Sequence, residues 1–242
     1  MVKVKDVKKR LEEVKEKLDE TTKKINAIDF DAHLYRRAFH AFGASFLFYY
    51  LLPETNWANL LDPINLLKIW VPLGIVISIL VAEILRLKGK VSSDHFFGLR
   101  MYEQKRAGSY VFFAVAILIL LIFFPQQIAI PCILCACLVD PIMGEARYRF
   151  GEKQAAIVGF LVCMIFFLVT WYQADIIIRI LVSIVGATGA VIGEIKKFWW
   201  LDDDFMIQIL PALLLLIVWF GAPYIGLNLP TEPIIHPGVI QW

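Results

Sequence analysis

The chain has 242 residues, of which 59% are apolar, 14% aromatic and only 19% charged, with a formal net charge of +2. That much apolar surface cannot be turned inward around one core, which excludes an ordinary water-soluble domain and points to an integral membrane protein.

The first 25 residues, "MVKVKDVKKRLEEVKEKLDETTKKI", are highly polar. They hold no apolar run of the signal-peptide kind, so the N-terminus is expected to stay in the cytoplasm. Within them Val4, Val7, Leu11, Val14 and Leu18, then Thr21 or Thr22, then Ile25 recur in steps of three and four, the stripe of an amphipathic helix. Such a helix, over 1–30, could pair with a second copy or dock on its own cytoplasmic face. A homodimer through this helix or through the spans is therefore allowed.

Seven apolar stretches then follow, at 38–52, 66–87, 109–124, 127–139, 154–171, 175–193 and 205–220. Several approach the roughly 17 to 25 residues that a spanning helix needs. If they alternate from a cytoplasmic N-terminus, the segments 1–37, 86–108, 140–153 and 194–204 face the cytoplasm and hold 22 of the 24 Lys and Arg residues. The other two, Lys68 and Arg179, fall at the opposite ends of spans, and Gly221 to Trp242 contains no Lys or Arg. Positive charge is retained on the cytoplasmic side, so this orientation is the expected one. The fold class is thus an all-α polytopic membrane protein with about seven transmembrane helices and an N-terminal cytoplasmic helix. Residues 31–226 form the embedded domain, and 227–242, with its prolines, an irregular tail on the far side.

The four cysteines, Cys132, Cys135, Cys137 and Cys163, all lie in expected spans. No histidine or further cysteine pair lies in a polar segment beside "CILC", so they read as small packing residues.

Charges crowd the cytoplasmic ends of the spans: Arg36, Arg37 and His40; Glu83 and Arg86; Arg100 and Glu103; Asp140, Glu145, Arg147, Arg149 and Lys153; Glu194; and Asp202, Asp203 and Asp204. The densest stretch, "LVDPIMGEARYRFGEK", is expected as a connection between two spans. Arg86, Lys88, Lys90, Lys196 and Lys197 fit headgroup anchors. Anchoring does not explain eight carboxylates on the same face. Carboxylates that hold a divalent cation, mixed with cations that neutralise phosphoryl oxygens, are what phosphoryl transfer requires.

Four ordered motifs, "RRAFH", "RMYEQKRAGSYVFF", "DPIMGEARYRFG" and "GEIKKFWWLDDDFMIQILPA", resemble the dolichol kinase family over roughly 36–216. That family includes CTP-dependent kinases acting on polyprenols, phytol or diacylglycerol. The resemblance implies an alcohol phosphotransferase that moves a phosphoryl group from CTP, with Mg²⁺, to the terminal hydroxyl of a dolichol-like membrane alcohol. It implies a catalytic or metal-binding role for Asp140, with Glu145, Glu103 and Asp203 as further metal ligands. Arg36, Arg37, His40, Arg100, Gly151 and Lys153 would hold the nucleotide. The expected partners are the lipid alcohol, CTP and membrane lipids, and no nucleic acid. The sequence departs from the family pattern at Met143, where many members have a small residue, at Arg147, where they have glycine, and at Asp204, where they have asparagine. A CTP-dependent diacylglycerol kinase or a phosphatidate cytidylyltransferase-like enzyme is the alternative activity, and a membrane carrier or scaffold the alternative class.

Overall fold

A computed structural model of the protein describes residues 37–52, 63–92, 99, 101–196, 201–226, 229–230 and 232–236. The helix expected over 1–30, together with Arg36 and Arg100, lies outside the described residues. Every described element is helical. The first, α1, runs over 37–43 and tightens into a 3-10 helix, Ala44–Leu51. After it come α2 (Pro63–Leu87), a short 3-10 helix (Met101–Lys105) and α3 (Ser109–Phe123). Then α4 (Gln126–Leu134) passes through a π-helical stretch (Cys135–Val139) into α5 (Asp140–Phe150). The chain closes with α6 (Glu152–Thr170), α7 (Ile176–Ile195) and α8 (Asp203–Gly221).

Five of these helical runs are long and apolar enough to cross a bilayer: Leu67–Leu87, Gln126–Phe150, Glu152–Thr170, Ile176–Ile195 and Asp203–Tyr224. They are apolar outside as well as inside. On α6, Ile157, Leu161, Ile165 and Val169 repeat every four residues along an exposed stripe, while Ala155, Gly159, Cys163 and Phe167 line the buried one. Two apolar faces on one helix suit lipid on one side and protein on the other. This protein is a helical membrane protein by that criterion.

The α4–α5 rod is the centre of the bundle: 67% of its most apolar window is buried, against 17% for Leu67–Leu87. Here the structure corrects the expected chain path. Residues 140–150 are not a connection but the continuation of the same helix, so the apolar stretch ends while the helix does not. Glu145 and Arg149 lie on its outward side, with Arg149 bonded to Glu145 one turn away. The true turn is Gly151 alone, at φ 88° and ψ 175°, a conformation open essentially only to glycine.

All four cysteines are free and buried in the core, as packing residues should be. At the end far from the charges, the irregular tail is tied to α4. The Gln126 side chain accepts the backbone N–H groups of Ile234 and Ile235 and donates to the Ile235 carbonyl.

Candidate functional site

The charged residues of α1, α5, α7 and α8 meet at one end of the bundle, and at their centre lies His40. It is 2% exposed, and its Nε2 stands 3.7 Å from Asp140 Oδ2 and 3.6 Å from Asp204 Oδ1. One ligand atom from each of the three lies within 4.8 Å of the others.

The local sequence explains why His40 points this way. In the π-helical stretch the Asp140 N–H bonds back to the Cys135 carbonyl, five residues earlier. The next donor in that register would serve the Ala136 carbonyl, but residue 141 is proline and has no N–H. His40 Nδ1, 3.2 Å away, takes the place of that missing donor. A carbonyl only accepts, so Nδ1 carries the hydrogen and Nε2 turns its remaining valence toward the two carboxylates. Pro141 thus helps set the orientation of a side chain about one hundred residues away in sequence.

Asp204 comes from the start of α8, which Asp202 caps by accepting the Asp204 N–H at 3.2 Å. Asp202, Asp203 and Asp204 form a second group whose oxygens lie within 4.8 Å of one another. Burial, the bonded Asp203 and the charge of Asp204 push the Asp202 carboxyl up to about 8. Glu194 arrives from α7, 3% exposed and within electrostatic reach of Asp140 and Asp203. Gly193 makes that approach feasible, because a Cβ there would sit 2.5 Å from the Met206 carbonyl oxygen. Arg147 Nη2 donates to Glu194 Oε1 at 3.0 Å, but Glu194 Oε2 and Arg147 Nε are buried without a hydrogen-bond partner among the described residues.

This donor set fits a divalent cation. Hard divalent ions take carboxylate oxygens, and an imidazole nitrogen with its other nitrogen bonded to a backbone carbonyl is a well-oriented additional ligand. Crowded, buried carboxylates are costly without positive charge beside them.

The other expected residues are placed differently. Asp203 stands in the acidic group of α8. Arg37 bonds Glu145 at 2.7 Å on the exposed rim, and Arg149 bonds the same carboxylate, so Glu145 sits between two arginines. Lys153 is exposed at the start of α6, and Gly151 makes the α5–α6 turn, a role that accounts for the glycine without any ligand. Glu103 is buried and accepts the Ser109 N–H at the start of α3.

Arg86 is not a headgroup anchor. Its Nε and Nη2 hold both oxygens of Glu83 at 2.6 and 2.7 Å, and it also donates to the carbonyls of Glu103, Gln104 and Arg106. Glu83 in turn accepts the Gly108 N–H at 2.7 Å and the Tyr110 hydroxyl. This buried knot fastens the 103–110 segment to the end of α2. It leaves Arg106 on the rim, 4.0 Å from Asp202.

Two central residues, Asp204 and Glu194, were absent from the expected ligand set. Helical phase carries the signal for both. Asp204 continues the buried stripe of Gln208, Ala212 and Leu215 toward the start of α8, and Glu194 ends the small-residue stripe of Gly186, Gly189, Ala190 and Gly193. A charge in phase with a buried stripe faces the protein interior. No family model matches the chain, and neither a curated protein nor a solved structure does.

Proposed function

We propose that the protein is a membrane-embedded, CTP-dependent kinase that phosphorylates the terminal hydroxyl of an isoprenoid alcohol of the dolichol or polyprenol type, releasing CDP. The observation that carries this reading is the convergence of His40, Asp140 and Asp204 within 4.8 Å, because each belongs to a different one of the four motifs resembling dolichol kinases. Seven spans with the charged end toward the cytoplasm complete the reading. CTP would arrive there from water, and the alcohol would arrive from the bilayer with its hydroxyl at the same level.

His40, Asp140 and Asp204 would hold Mg²⁺, with Asp202 and Asp203 beside them. When bound, the cation supplies neutralisation of phosphate charge. The protein's own part is positioning. His40 is oriented by the Ala136 carbonyl, and the Glu83–Arg86 knot holds the segment that carries Arg106. Rim cations Arg37, Arg106 and Arg149 are exposed enough to exchange their carboxylate partners for phosphate oxygens. Arg36 and Arg100 join them by sequence.

The test is purified protein given γ-labelled CTP or ATP with a panel of prenols, phytol and diacylglycerol. Labelled prenyl phosphate with CDP as co-product supports the reading. Labelled phosphatidate makes it a diacylglycerol kinase, pyrophosphate release a cytidylyltransferase, and an absence of any nucleotide turnover removes the enzyme reading.

A further inference from the structure

The Arg147–Glu194 pair makes one hydrogen bond where its geometry has room for two. Arg147 Nη2 bonds Glu194 Oε1 at 3.0 Å, while Arg147 Nε and Glu194 Oε2 are buried with no partner among the described residues. Arg86, by contrast, closes both bonds on Glu83. Nε and Nη2 share one edge of the guanidinium, and the two oxygens share one carboxylate. The open donor and the open acceptor are therefore neighbours.

The chemistry of a group that satisfies both is restrictive. A phosphate offers only acceptors and is repelled by Glu194, and a metal ion is repelled by Arg147. A neutral hydroxyl has one hydrogen to give and lone pairs to receive. The pair also lies at the cation site, since Glu194 is within electrostatic reach of Asp140 and Asp203.

We propose that Arg147 and Glu194 cradle the acceptor hydroxyl of the lipid alcohol, an assignment that rests on the kinase reading above. Glu194 Oε2 accepts the O–H, and Arg147 Nε donates to its oxygen. In the transfer, the alcohol oxygen forms a bond to the terminal phosphorus, and the bond from that phosphorus to the bridging oxygen breaks. Its electron pair leaves on the nucleoside diphosphate. The hydroxyl proton passes to Glu194 Oε2 and then to water. Glu194 is thereby a catalytic residue and Arg147 a specificity residue for the alcohol.

The experiment compares full-length wild type, Glu194→Gln and Arg147→Lys in mixed micelles with CTP, Mg²⁺ and a prenol, measuring lipid phosphorylation together with thermal unfolding. Glu194→Gln keeps the shape but cannot take the proton. It is expected to lose about 100-fold or more in kcat with the KM for CTP unchanged. Arg147→Lys keeps the ion pair without the fixed second donor, and is expected to raise the KM for the alcohol about tenfold while leaving the KM for CTP alone. If Glu194→Gln does not fold, Arg147→Lys decides. Wild-type kcat in a folded Glu194→Gln, or an unchanged alcohol KM in Arg147→Lys, overturns the cradle. So does a loss that appears instead as a raised Mg²⁺ requirement, which would make Glu194 a cation ligand. A wild type that phosphorylates no alcohol overturns the kinase reading and the cradle together.

Discussion

His40 would be unremarkable as a lone histidine beside a membrane span, yet the structure gives each of its ring nitrogens a separate task. Nδ1 is fixed by a backbone carbonyl that Pro141 leaves without its usual donor, and Nε2 faces Asp140 and Asp204. Removing the imidazole with His40→Ala should weaken Mn²⁺ or Mg²⁺ binding by roughly 10- to 100-fold, read by calorimetry or by metal-dependent thermal shift. The Glu83–Arg86 knot predicts a different defect. Arg86→Ala leaves the Glu83 carboxylate, 3% exposed, with less compensation and should cost about 3–5 kcal/mol, seen as a lower unfolding temperature in detergent. The chemical types of these residues were legible in the sequence, since a carboxylate or histidine at a span end invites attention. Their partners were not. Arg86 reads as an anchor because sequence spacing pairs it only with Glu83, whereas three of its acceptors are carbonyls of the neighbouring loop and depend on how α2 packs on α3.

At the scale of elements, the apolar stretches located the helices well, but charge density misplaced one boundary. A helix continues while its backbone bonds close and its polar side chains find water, so α5 runs eleven residues past the end of the apolar run, to Phe150. Gly151 then turns the chain. Because φ 88° with ψ 175° is essentially closed to other residues, Gly151→Ala should cost about 1–3 kcal/mol in unfolding measurements. If the turn is its whole role, the KM for nucleotide stays as in wild type. Close approach of α7 to α8 gives a second element-scale prediction. Gly193→Leu would force a side chain against the Met206 and Ile207 backbone, so a loss of about 1–3 kcal/mol is expected, with kcat lowered because α7 carries Glu194. Neither close contact could be read from the sequence, where Gly193 is simply one more small residue in an apolar helix.

For the whole molecule, composition fixed the class before any motif was considered, and the distribution of lysine and arginine gave one end of the bundle a distinct character. The structure brings the charged segments of α1, α5, α7 and α8 to one end and ties the tail to α4 at the other. A cysteine placed at exposed Tyr224 should react with a membrane-impermeant maleimide in intact cells, and one at Lys153 only after permeabilisation; all four native cysteines are buried and should stay silent. The central claim, that buried carboxylates gathered around His40 serve phosphoryl transfer to a lipid alcohol, is tested most directly by one comparison. Wild type and Asp140→Asn are given γ-labelled CTP, Mg²⁺ and a prenol, with and without chelator, and the labelled lipid is counted. The account predicts chelator-sensitive labelling by wild type and a loss of about 100-fold or more in Asp140→Asn. Equal labelling by the two proteins, or labelling that survives the chelator, would contradict it.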